Sequence, residues 1–445
     1  MKTTFSFLSF LATSLLLSHL CVAQSRELDS LQNLMKTAND TTQVNLLRYL
    51  GIHSRSLDKE MSVEYGVKSL NKAIEISFVK GQIESLYALG LTHGMTGSYA
   101  EALEYLKTCL NLSMKLNNHQ YIKKTYNSLG IVYKRIGDYT NSKDYYLKSI
   151  QLVDSLNLPF DNSSAYINLG ILYDLLNEED KAIENYGKSL EVYKGNNKEG
   201  IENTVLANLA VINYNNKDYE AALSKLLKVM AYHEKGGDKF QLCTSYSNLG
   251  DCYFELADWE LALEYLNKAL DLANELSDRH MIPKIYYNLG RLMLKQEKYD
   301  EALAYSKSNI EFLEYSGEYK DKLDAHQQAA EVYDSIKQYP KSIHHINQAI
   351  LYKDSLLNET KIRELQNLQI QHEVYLKDKE INEGNLQVAL LNAKVSEDRR
   401  RLIYLSLIAG LLLFSATLLY FRFRAKKKSS KIFQEQNQRI TEQNH

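Results

Sequence analysis

The sequence predicts an all-α solenoid of about eight helical hairpins, followed by a helical stalk and one transmembrane helix. Three observations predict this fold class: a pattern that recurs every forty residues, an apolar helical period inside each recurrence, and one uncharged stretch of twenty residues near the C-terminus. Only three prolines occur in 445 residues, so long helices are permitted almost everywhere. The length exceeds that of one ordinary compact core and suits a repeat array.

Three markers stay in phase through seven units of forty residues. They are a Leu-Gly pair, an aromatic residue nine positions after the glycine, and a small residue three positions after the aromatic. Leu209-Ala210 and Ala329-Ala330 replace the pair in two units, and Glu179 replaces one aromatic. The pairs lie at Leu89-Gly90, Leu129-Gly130, Leu169-Gly170, Leu249-Gly250 and Leu289-Gly290, and the aromatics at Tyr99, Tyr139, Tyr219, Trp259, Tyr299 and Tyr339.

Each unit predicts two amphipathic helices joined by a short polar turn. In one first helix, Tyr126, Leu129 and Tyr133 fall at i, i+3 and i+7 and form one apolar stripe. Gly130 is small enough to let a neighbouring helix approach closely. The second helix passes through Ile150. Because neither helix buries its stripe alone, consecutive hairpins must stack.

These markers resemble the tetratricopeptide repeat, whose pattern is an aromatic, Leu-Gly, a tyrosine and then an alanine. Tyr246-x2-Leu249-Gly250-x2-Tyr253, followed by Ala262, matches it well. The resemblance covers residues 83–360 in seven units. The forty-residue spacing exceeds the family's usual value of about 34 residues, which predicts longer helices with the same stacking.

The first and last units are expected to be atypical. An eighth, degenerate unit precedes the seven, with Leu50-Gly51 as its marker and Ala73-Ile74 in its second helix. Its turn is longer, and it is expected to cap the N-terminal end. In the last unit, His326 replaces the aromatic of the first helix, and Pro340 opens the second helix at a position where proline is tolerated. The solenoid is therefore assigned to residues 24–360.

Residues 1–23 are typical of a secretory signal peptide. An apolar run from residue 5 to residue 17 precedes Cys21-Val22-Ala23, a small-x-small cleavage site. The bulky Leu20 disfavours the alternative that Cys21 is a lipidation site. Export would place the following residues outside the cytoplasm.

Three cysteines remain after the signal peptide. Cys243 and Cys252 lie nine residues apart on one predicted helix, about 13 Å along its axis, which is too far for a disulfide. Together with Cys109 they make an odd number, so we expect buried, unpaired thiols.

Residues 361–401 favour a helical stalk. One row of apolar residues repeats every seven positions, as in a coiled-coil seam, while the companion row is interrupted by Lys377, Gly384 and Asp398. The repeating row is Val374, Ile381, Val388, Val395 and Leu402. A homodimer through this stalk and a lone surface helix folded back on the repeats are both open.

Residues 402–421 carry no charge and span about 30 Å as a helix, which matches a bilayer core. Arginines 399–401 precede the stretch, and a larger basic cluster follows it within the tail, residues 422–445. Basic residues favour the cytoplasmic side. With the signal peptide, this predicts a single-pass protein of the inner membrane with periplasmic repeats and a cytoplasmic C-terminus. Ser406-x3-Gly410 is a weak helix-pairing motif inside the span.

The tail begins a second heptad pattern. Glu435-Gln436-Asn437 recurs seven residues later as Glu442-Gln443-Asn444. That repetition is typical of the start of another helical stalk, and a stalk usually leads to a further domain or partner. A cytoplasmic signalling partner is therefore one expectation.

No catalytic motif is recognisable. The sequence lacks a phosphate-binding glycine loop, a Gly-x-Ser-x-Gly elbow and a His-Glu-x-x-His helix. The pair His344-His345 points in two directions on a helix, which disfavours a metal site. The net charge of −2 gives no reason to expect nucleic-acid binding. We expect no enzymatic activity, no cofactor and no metal.

A repeat array binds its partners in the groove lined by its first helices, so a protein or peptide ligand is expected there. The family's groove positions, carried over by register, fall on two charged sets and on a recurring asparagine. That asparagine could bond a peptide backbone or stabilise the hairpins, and the structural role is favoured. The groove candidates are Lys124, Asn127, Ile131, Lys134 and Arg135, then Asp251 and Glu255, then Lys284, Tyr287, Arg291 and Lys295, with Asn168, Asn208, Asn248 and Asn288 as the recurring residue.

The order of signal peptide, repeats, stalk, span and basic tail resembles the sensor half of bacterial tetratricopeptide-containing sensor histidine kinases. That resemblance implies a transmembrane receptor whose kinase or DNA-binding output domain is absent from these residues, so the chain would be truncated or would act through a separate partner. The rival hypothesis is a constitutive scaffold that tethers a periplasmic assembly to the inner membrane. A hidden enzyme is the third hypothesis, and no nucleophile–base pair supports it.

Overall fold

The computed structural model describes residues 38–56, 58–193, 198–314 and 317–443, together with Met35. The predicted signal peptide 1–23 and its Cys21 lie outside these residues, as does His445 at the C-terminus. The described part of the chain forms sixteen α-helices and no strand, so the predicted all-α fold class is confirmed. It divides into two compact units, residues 1–372 and 373–445.

The helices pair in chain order into eight hairpins. They are α1 (Asp40–His53), α2 (Lys59–Glu75), α3 (Val79–Met95), α4 (Tyr99–Lys115), α5 (His119–Arg135), α6 (Tyr139–Ser155), α7 (Ser163–Leu175), α8 (Glu179–Val192), α9 (Lys198–Asn215), α10 (Tyr219–Gly236), α11 (Lys239–Glu255), α12 (Trp259–Leu276), α13 (Met281–Lys295), α14 (Tyr299–Leu313), α15 (Tyr319–Ser335) and α16 (Tyr339–Gln443). Odd-numbered helices are the first helices of their hairpins, and even-numbered helices are the second.

The turns explain the forty-residue period. A residue with positive φ recurs about every twenty positions along the described solenoid, one in each short turn between helices. A left-handed residue just after a helix satisfies its last carbonyls and reverses the chain. The typical unit is therefore two 17-residue helices, as in α5 and α6, with three-residue turns. The expectation of longer helices is confirmed.

The Leu-Gly marker is the point of closest approach inside a hairpin. A Cβ built on Gly130 would lie 2.5 Å from the Tyr146 ring, and one on Gly250 would lie 2.6 Å from Leu266. Leu129 and Leu249, the leucines of the two pairs, are fully buried. The sequence therefore uses glycine where the second helix leaves no room for a side chain.

The aromatic marker begins the second helix, and the small marker is buried against the first helix. Asp138, Asp218 and Asp258 precede the aromatic in three units, and each caps its helix by accepting a hydrogen bond from the third backbone N–H, at 3.0–3.2 Å. The small residues are almost wholly buried: Ala102, Ser142, Ala182, Ala222, Ala262, Ala302 and Ser342.

Both terminal hairpins show the irregularities that the sequence predicts, while the capping role of the first stays a prediction. The degenerate first hairpin is α1–α2, with Leu50 and Gly51 buried on α1 and a longer turn that contains the 3₁₀ segment Ser54–Ser56. Pro340 is the second residue of α16, where the missing N–H removes no helical hydrogen bond. Cys109, Cys243 and Cys252 are buried and unpaired, as expected.

First helices of adjacent hairpins pack side by side and form one continuous layer. The pair α9 and α11 is the exception, because these two helices approach each other less closely than the other adjacent first helices. Hairpin five, which contains α9, is also the unit with Ala210 in the glycine position. Among the described residues, this looser approach of α9 and α11 is the one irregularity in the layer that carries most of the predicted groove residues.

The second unit, residues 373–445, is described as part of α16 up to Gln443. Among the described residues, α16 is the one helix long and apolar enough to cross a membrane. Its apolar side chains from Leu402 to Phe421 are exposed. The seam residues Val388 and Val395 are also exposed, and the proposed stalk dimer stays a prediction.

Candidate functional site

The first charged set lies on α5, and its members make contacts within the solenoid. The Arg135 guanidinium donates a 2.8 Å hydrogen bond to the Gly94 carbonyl at the C-terminal end of α3. Lys124 places its ammonium 5.1 Å from the centre of the Tyr121 ring. Burial, together with the neighbouring Arg135, lowers the pKa of Lys134. Arg135 therefore stabilises repeat stacking, whether or not it binds a ligand.

Two further α5 candidates also face neighbouring hairpins. The Asn127 side chain accepts a 3.1 Å hydrogen bond from Asn168 on α7. Ile131 packs with Tyr146 and Leu169 in the core between hairpins three and four. The α5 set is separated from the second charged set by hairpins four and five, so the structure does not bring the two sets together.

The second charged set forms one network across α11 and α13. Glu255 on α11 and Arg291 on α13 form an ion pair of 3.0 Å. The Arg291 guanidinium also lies 4.4 Å from the centre of the Phe254 ring, which fixes it from a second side. Tyr287 lies next to this group, with its ring centre 5.9 Å from the guanidinium. Arg291 is thus held by an acid and an aromatic ring on α11.

Asp251 and Lys284 form the looser half of the same network. Their closest oxygen and nitrogen are 3.9 Å apart, at the limit of an ion pair. The Asp251 side chain is only 16% exposed, whereas that of Lys284 is 46% exposed. Burial raises the pKa of the Asp251 carboxyl, and the nearby Lys284, Arg291 and Asn288 oppose this rise. Lys295, the last candidate on α13, is exposed.

The recurring asparagines play different parts. Asn168 bonds Asn127 of the preceding hairpin, and Asn208 bonds the Thr204 carbonyl one turn earlier on its own helix. Asn248 accepts a 3.4 Å hydrogen bond from the Lys284 ammonium. Three of the four are thus engaged inside the protein, in line with the structural role that the sequence favours.

A cavity of about 170 Å³ opens beside this network, at the gap between α9 and α11. Sequence reasoning predicted Asp251 and Lys284 but missed the apolar part of the lining, because the register of first helices does not reveal helix spacing. The cavity is lined by Ala210, Val211, Tyr214, Leu226, Asn248, Asp251, Cys252 and Lys284.

A second cluster that the sequence analysis missed joins α15 to the start of α16. The Nδ1 atoms of His326 and His345 are 2.9 Å apart, so one ring donates a hydrogen bond to the other. These histidines occupy the positions that Tyr286 and Tyr305 hold in the preceding hairpin, where the two rings also face each other. The forty-residue register could have found this pair, since each histidine falls on an aromatic position.

The described residues contain no group of three or more histidine, cysteine, aspartate or glutamate side chains arranged to hold a metal ion. Cys252 lies at the cavity, and burial raises the pKa of its thiol to about 12, which keeps it protonated and a poor nucleophile. The cavity and its charged rim are therefore suited to binding a ligand group.

A profile of the tetratricopeptide repeat family matches residues 81–155, 121–195 and 202–275. Residues 81–195 and 202–275 therefore contain tetratricopeptide repeats. Their matched stretches include the α5 set and the α11 half of the charged network. Tetratricopeptide repeats are generally scaffolds for protein–protein interaction and not catalysts. No curated protein matches the chain.

Solved structures with this fold include two signalling proteins. The apo form of the quorum sensor NprR from B. thuringiensis is 16% identical, with 75% of this chain and 95% of that chain covered and a TM-score of 0.55. A signal transduction ATPase with numerous domains and a tetratricopeptide repeat sensor, from Pyrococcus horikoshii, is 16% identical. The superposition covers 76% of this chain and 51% of that chain, about half of its length, with a TM-score of 0.56. At this identity the likeness shows the fold alone, and the resemblance to sensor kinases stays a prediction.

Proposed function

We propose that this chain is a membrane-anchored module that binds a protein or peptide ligand on its first-helix face and acts as the sensor part of a transmembrane signalling receptor. In this proposal the repeats are periplasmic, the tail is cytoplasmic, and the span lies in the inner membrane. The chain has no catalytic role of its own and passes the signal to a cytoplasmic partner.

The observation that carries the proposal is the continuity of α16. This helix begins at Tyr339 as the second helix of the last hairpin and continues to Gln443, through the apolar residues 402–421. A ligand that shifts the last hairpin therefore acts on the same helix that contains the candidate membrane span. A scaffold needs no such continuity between its binding repeats and its anchor.

A contact inside the first unit supplies a candidate two-state element. The Gln371 side chain on α16 donates a 2.7 Å hydrogen bond to the Ile136 carbonyl in the turn between α5 and α6. This contact links the part of α16 beyond hairpin eight to hairpin three, so it limits how far the intervening hairpins can open. Ligand binding that changes their curvature would favour or oppose it, as coupling between two states requires.

The test of ligand binding is photo-crosslinking in the full-length membrane protein in its native cells. A photoreactive phenylalanine analogue replaces Val211, which is 49% exposed at the cavity on the first-helix face. The matched control carries the analogue at Ile183, which is 43% exposed on the second helix α8. A partner that crosslinks to position 211 and not to position 183 supports the proposal. Equal or absent crosslinking at both positions contradicts it.

Deletion of residues 425–445 separates the receptor from the scaffold. The receptor should lose its ability to restore the phenotype of a null strain, because the tail carries its output. A constitutive scaffold should stay functional. A disulfide between copies near Val388 provides a second test, since it should fix a receptor's output regardless of ligand, and an unchanged ligand response would rule out signalling through the stalk.

A further inference from the structure

The cavity between α9 and α11 combines an apolar wall with one buried carboxyl. Ala210, Leu226 and Cys252 are almost wholly buried and form the wall, and Val211 stands exposed beside them. The volume of about 170 Å³ is suited to one long side chain. Apolar cavities of comparable size, about 150 Å³, bind a single small apolar group.

The cavity follows from the irregular spacing of the first helices. Elsewhere in the described solenoid adjacent first helices pack closely, but α9 and α11 stand further apart. In hairpins three and four, the rings of Tyr146 and Tyr186 fill the space over the glycine position. Hairpin five has Leu226 at the equivalent position, which is smaller than tyrosine. Hairpins two and six also have a leucine at this position, Leu106 and Leu266, so the space at the α9–α11 junction follows from the helix spacing and not from the smaller side chain alone.

The carboxyl of Asp251 lacks a close counter-charge. Its neighbour Glu255 has one, since Arg291 lies 3.0 Å from it. Arg291 is held there by both Glu255 and the Phe254 ring, so it is not available to move to Asp251. The nearest ammonium to Asp251 is Lys284 at 3.9 Å. A buried carboxylate at that distance from its cation is stabilised further by a second ammonium that makes a direct hydrogen bond.

Lys284 is held only loosely beside Asp251, so a ligand cation can displace its ammonium group. Its ammonium touches Asn248 at 3.4 Å and Asp251 at 3.9 Å, both long contacts, and nearly half of its side chain is exposed. A long, exposed lysine moves into solvent at little cost. An incoming ammonium group can therefore replace it at Asp251 and leave the net charge of the network unchanged.

We propose that this cavity is a specificity pocket for a lysine side chain of the bound peptide or protein. The four methylene groups of the ligand lysine lie against Ala210, Val211 and Leu226, and its ammonium donates a hydrogen bond to the Asp251 carboxylate. This inference rests on the proposed function and adds the chemistry of one ligand residue to it. The pocket takes a cation with an aliphatic stem, because an acidic side chain would face Asp251.

The test is a titration of the detergent-solubilised full chain with three pentapeptides, Ac-Ala-Ala-X-Ala-Ala-NH₂, where X is lysine, norleucine or glutamate. Norleucine keeps the aliphatic stem and removes the charge. We expect the lysine peptide to bind about tenfold more tightly than the norleucine peptide, a factor typical of one charge-assisted hydrogen bond. The measurement is saturation-transfer difference NMR with the protein as the saturated partner.

Two variants and one control decide the role of each group. Asp251→Asn should remove the preference for lysine, and Lys284→Met should strengthen lysine binding because the competing ammonium is gone. Glu260→Gln, at an exposed acid on α12, is the matched control and should leave binding unchanged. Circular dichroism of each variant verifies that the repeats are folded.

Three outcomes would overturn the inference. Equal binding of lysine and norleucine would make the pocket purely apolar, and tighter binding of the glutamate peptide would make Lys284 the ligand-binding group. Absence of binding by any peptide to the folded protein would remove the pocket. None of these results touches the crosslinking at Val211, so failure of the pocket and failure of the proposed function are distinguishable.

Discussion

The histidine pair predicts that the last hairpin loosens in mild acid. His326 on α15 is only 9% exposed and shares a hydrogen bond with His345 on α16, which requires at least one of the two facing nitrogens to be unprotonated. Burial and the neighbouring His345 and His344 lower the pKa of His326 from 6.5 to about 4. Burial and His344 also lower the pKa of His345.

The sign follows from the direction of these shifts. A histidine whose pKa is lowered on folding binds fewer protons in the folded state than in the unfolded state. Its contribution to stability is therefore complete above its ordinary pKa and declines as the pH falls below that value. Between about pH 8 and about pH 5, the shift of His326 from 6.5 to about 4 lowers the stability of this hairpin by about 2 kcal/mol. His345 adds to the same loss.

The groups around His326 and His345 do little to stabilise positive charge on the two protonated rings. Tyr333 stacks on His345, and the Tyr352 ring lies 5.4 Å from His326. The Lys322 ammonium lies 5.8 Å from the centre of the Tyr352 ring, and the Lys341 ammonium lies 5.3 Å from the centre of the Tyr333 ring. Added positive charge on the histidines is therefore met by further positive charge.

The assay is hydrogen–deuterium exchange of the full chain at about pH 8 and about pH 5, corrected for the intrinsic exchange rate, with peptides from α15 and from residues 339–355 as reporters. The matched control is the double variant His326→Tyr with His345→Tyr, which copies the Tyr286–Tyr305 pair of hairpin seven. We expect the natural chain to lose protection at the lower pH and the control to keep it. The same pH dependence in both proteins would refute the reasoning.

Three further predictions concern stability and reactivity. Gly130→Ala should lower the free energy of unfolding by about 1–3 kcal/mol through overpacking, while Gly187→Ala, whose Cβ meets nothing within 4 Å, should raise it by about 0.5–1 kcal/mol; equal thermal shifts would contradict the close approach. Lys217→Gly should raise the free energy of unfolding by about 1 kcal/mol, because Lys217 has a φ of +63°, and a lowered melting temperature would speak against this. Burial raises the pKa of Cys243 to about 11 and that of Cys252 to about 12, so neither thiol should react with iodoacetamide at about pH 8 until the repeats unfold; rapid alkylation of the folded chain, read by mass spectrometry, would show the burial to be wrong.

The repeat architecture could be predicted because its markers have one physical cause each. Gly130 and Gly250 occur where a second helix leaves no space for a side chain, and Tyr139 and Trp259 occur where a second helix begins. These local requirements recur in most units, so a single sequence displays them several times. The period of forty residues then follows from helix length and turn length.

The candidate site could be predicted only in part. Register alone placed Asp251, Glu255, Lys284 and Arg291 on first helices, and the structure joins them in one network. The repeat register could not show that Arg135 stabilises repeat stacking, because the hydrogen-bond acceptor of Arg135 is a backbone carbonyl with no signature in the sequence.

The cavity could not be predicted from the sequence for a different reason. It depends on the distance between α9 and α11, which is set by the packing of several side chains together and not by any one of them. The His326–His345 pair was within reach, since both residues occupy aromatic positions of the repeat. Repeat register therefore predicts pairs within a hairpin better than spaces between hairpins.

The central claim is that the ligand-binding repeats and the basic tail lie on opposite sides of the inner membrane. Single cysteines at the exposed positions Glu220 and Ser430, in a chain with Cys21→Ser, test it directly, because the three remaining cysteines are buried. A membrane-impermeant maleimide added to spheroplasts should label the cysteine at position 220 and reach the one at position 430 only after lysis. Labelling of both positions, or of position 430 alone, in intact spheroplasts would contradict the account.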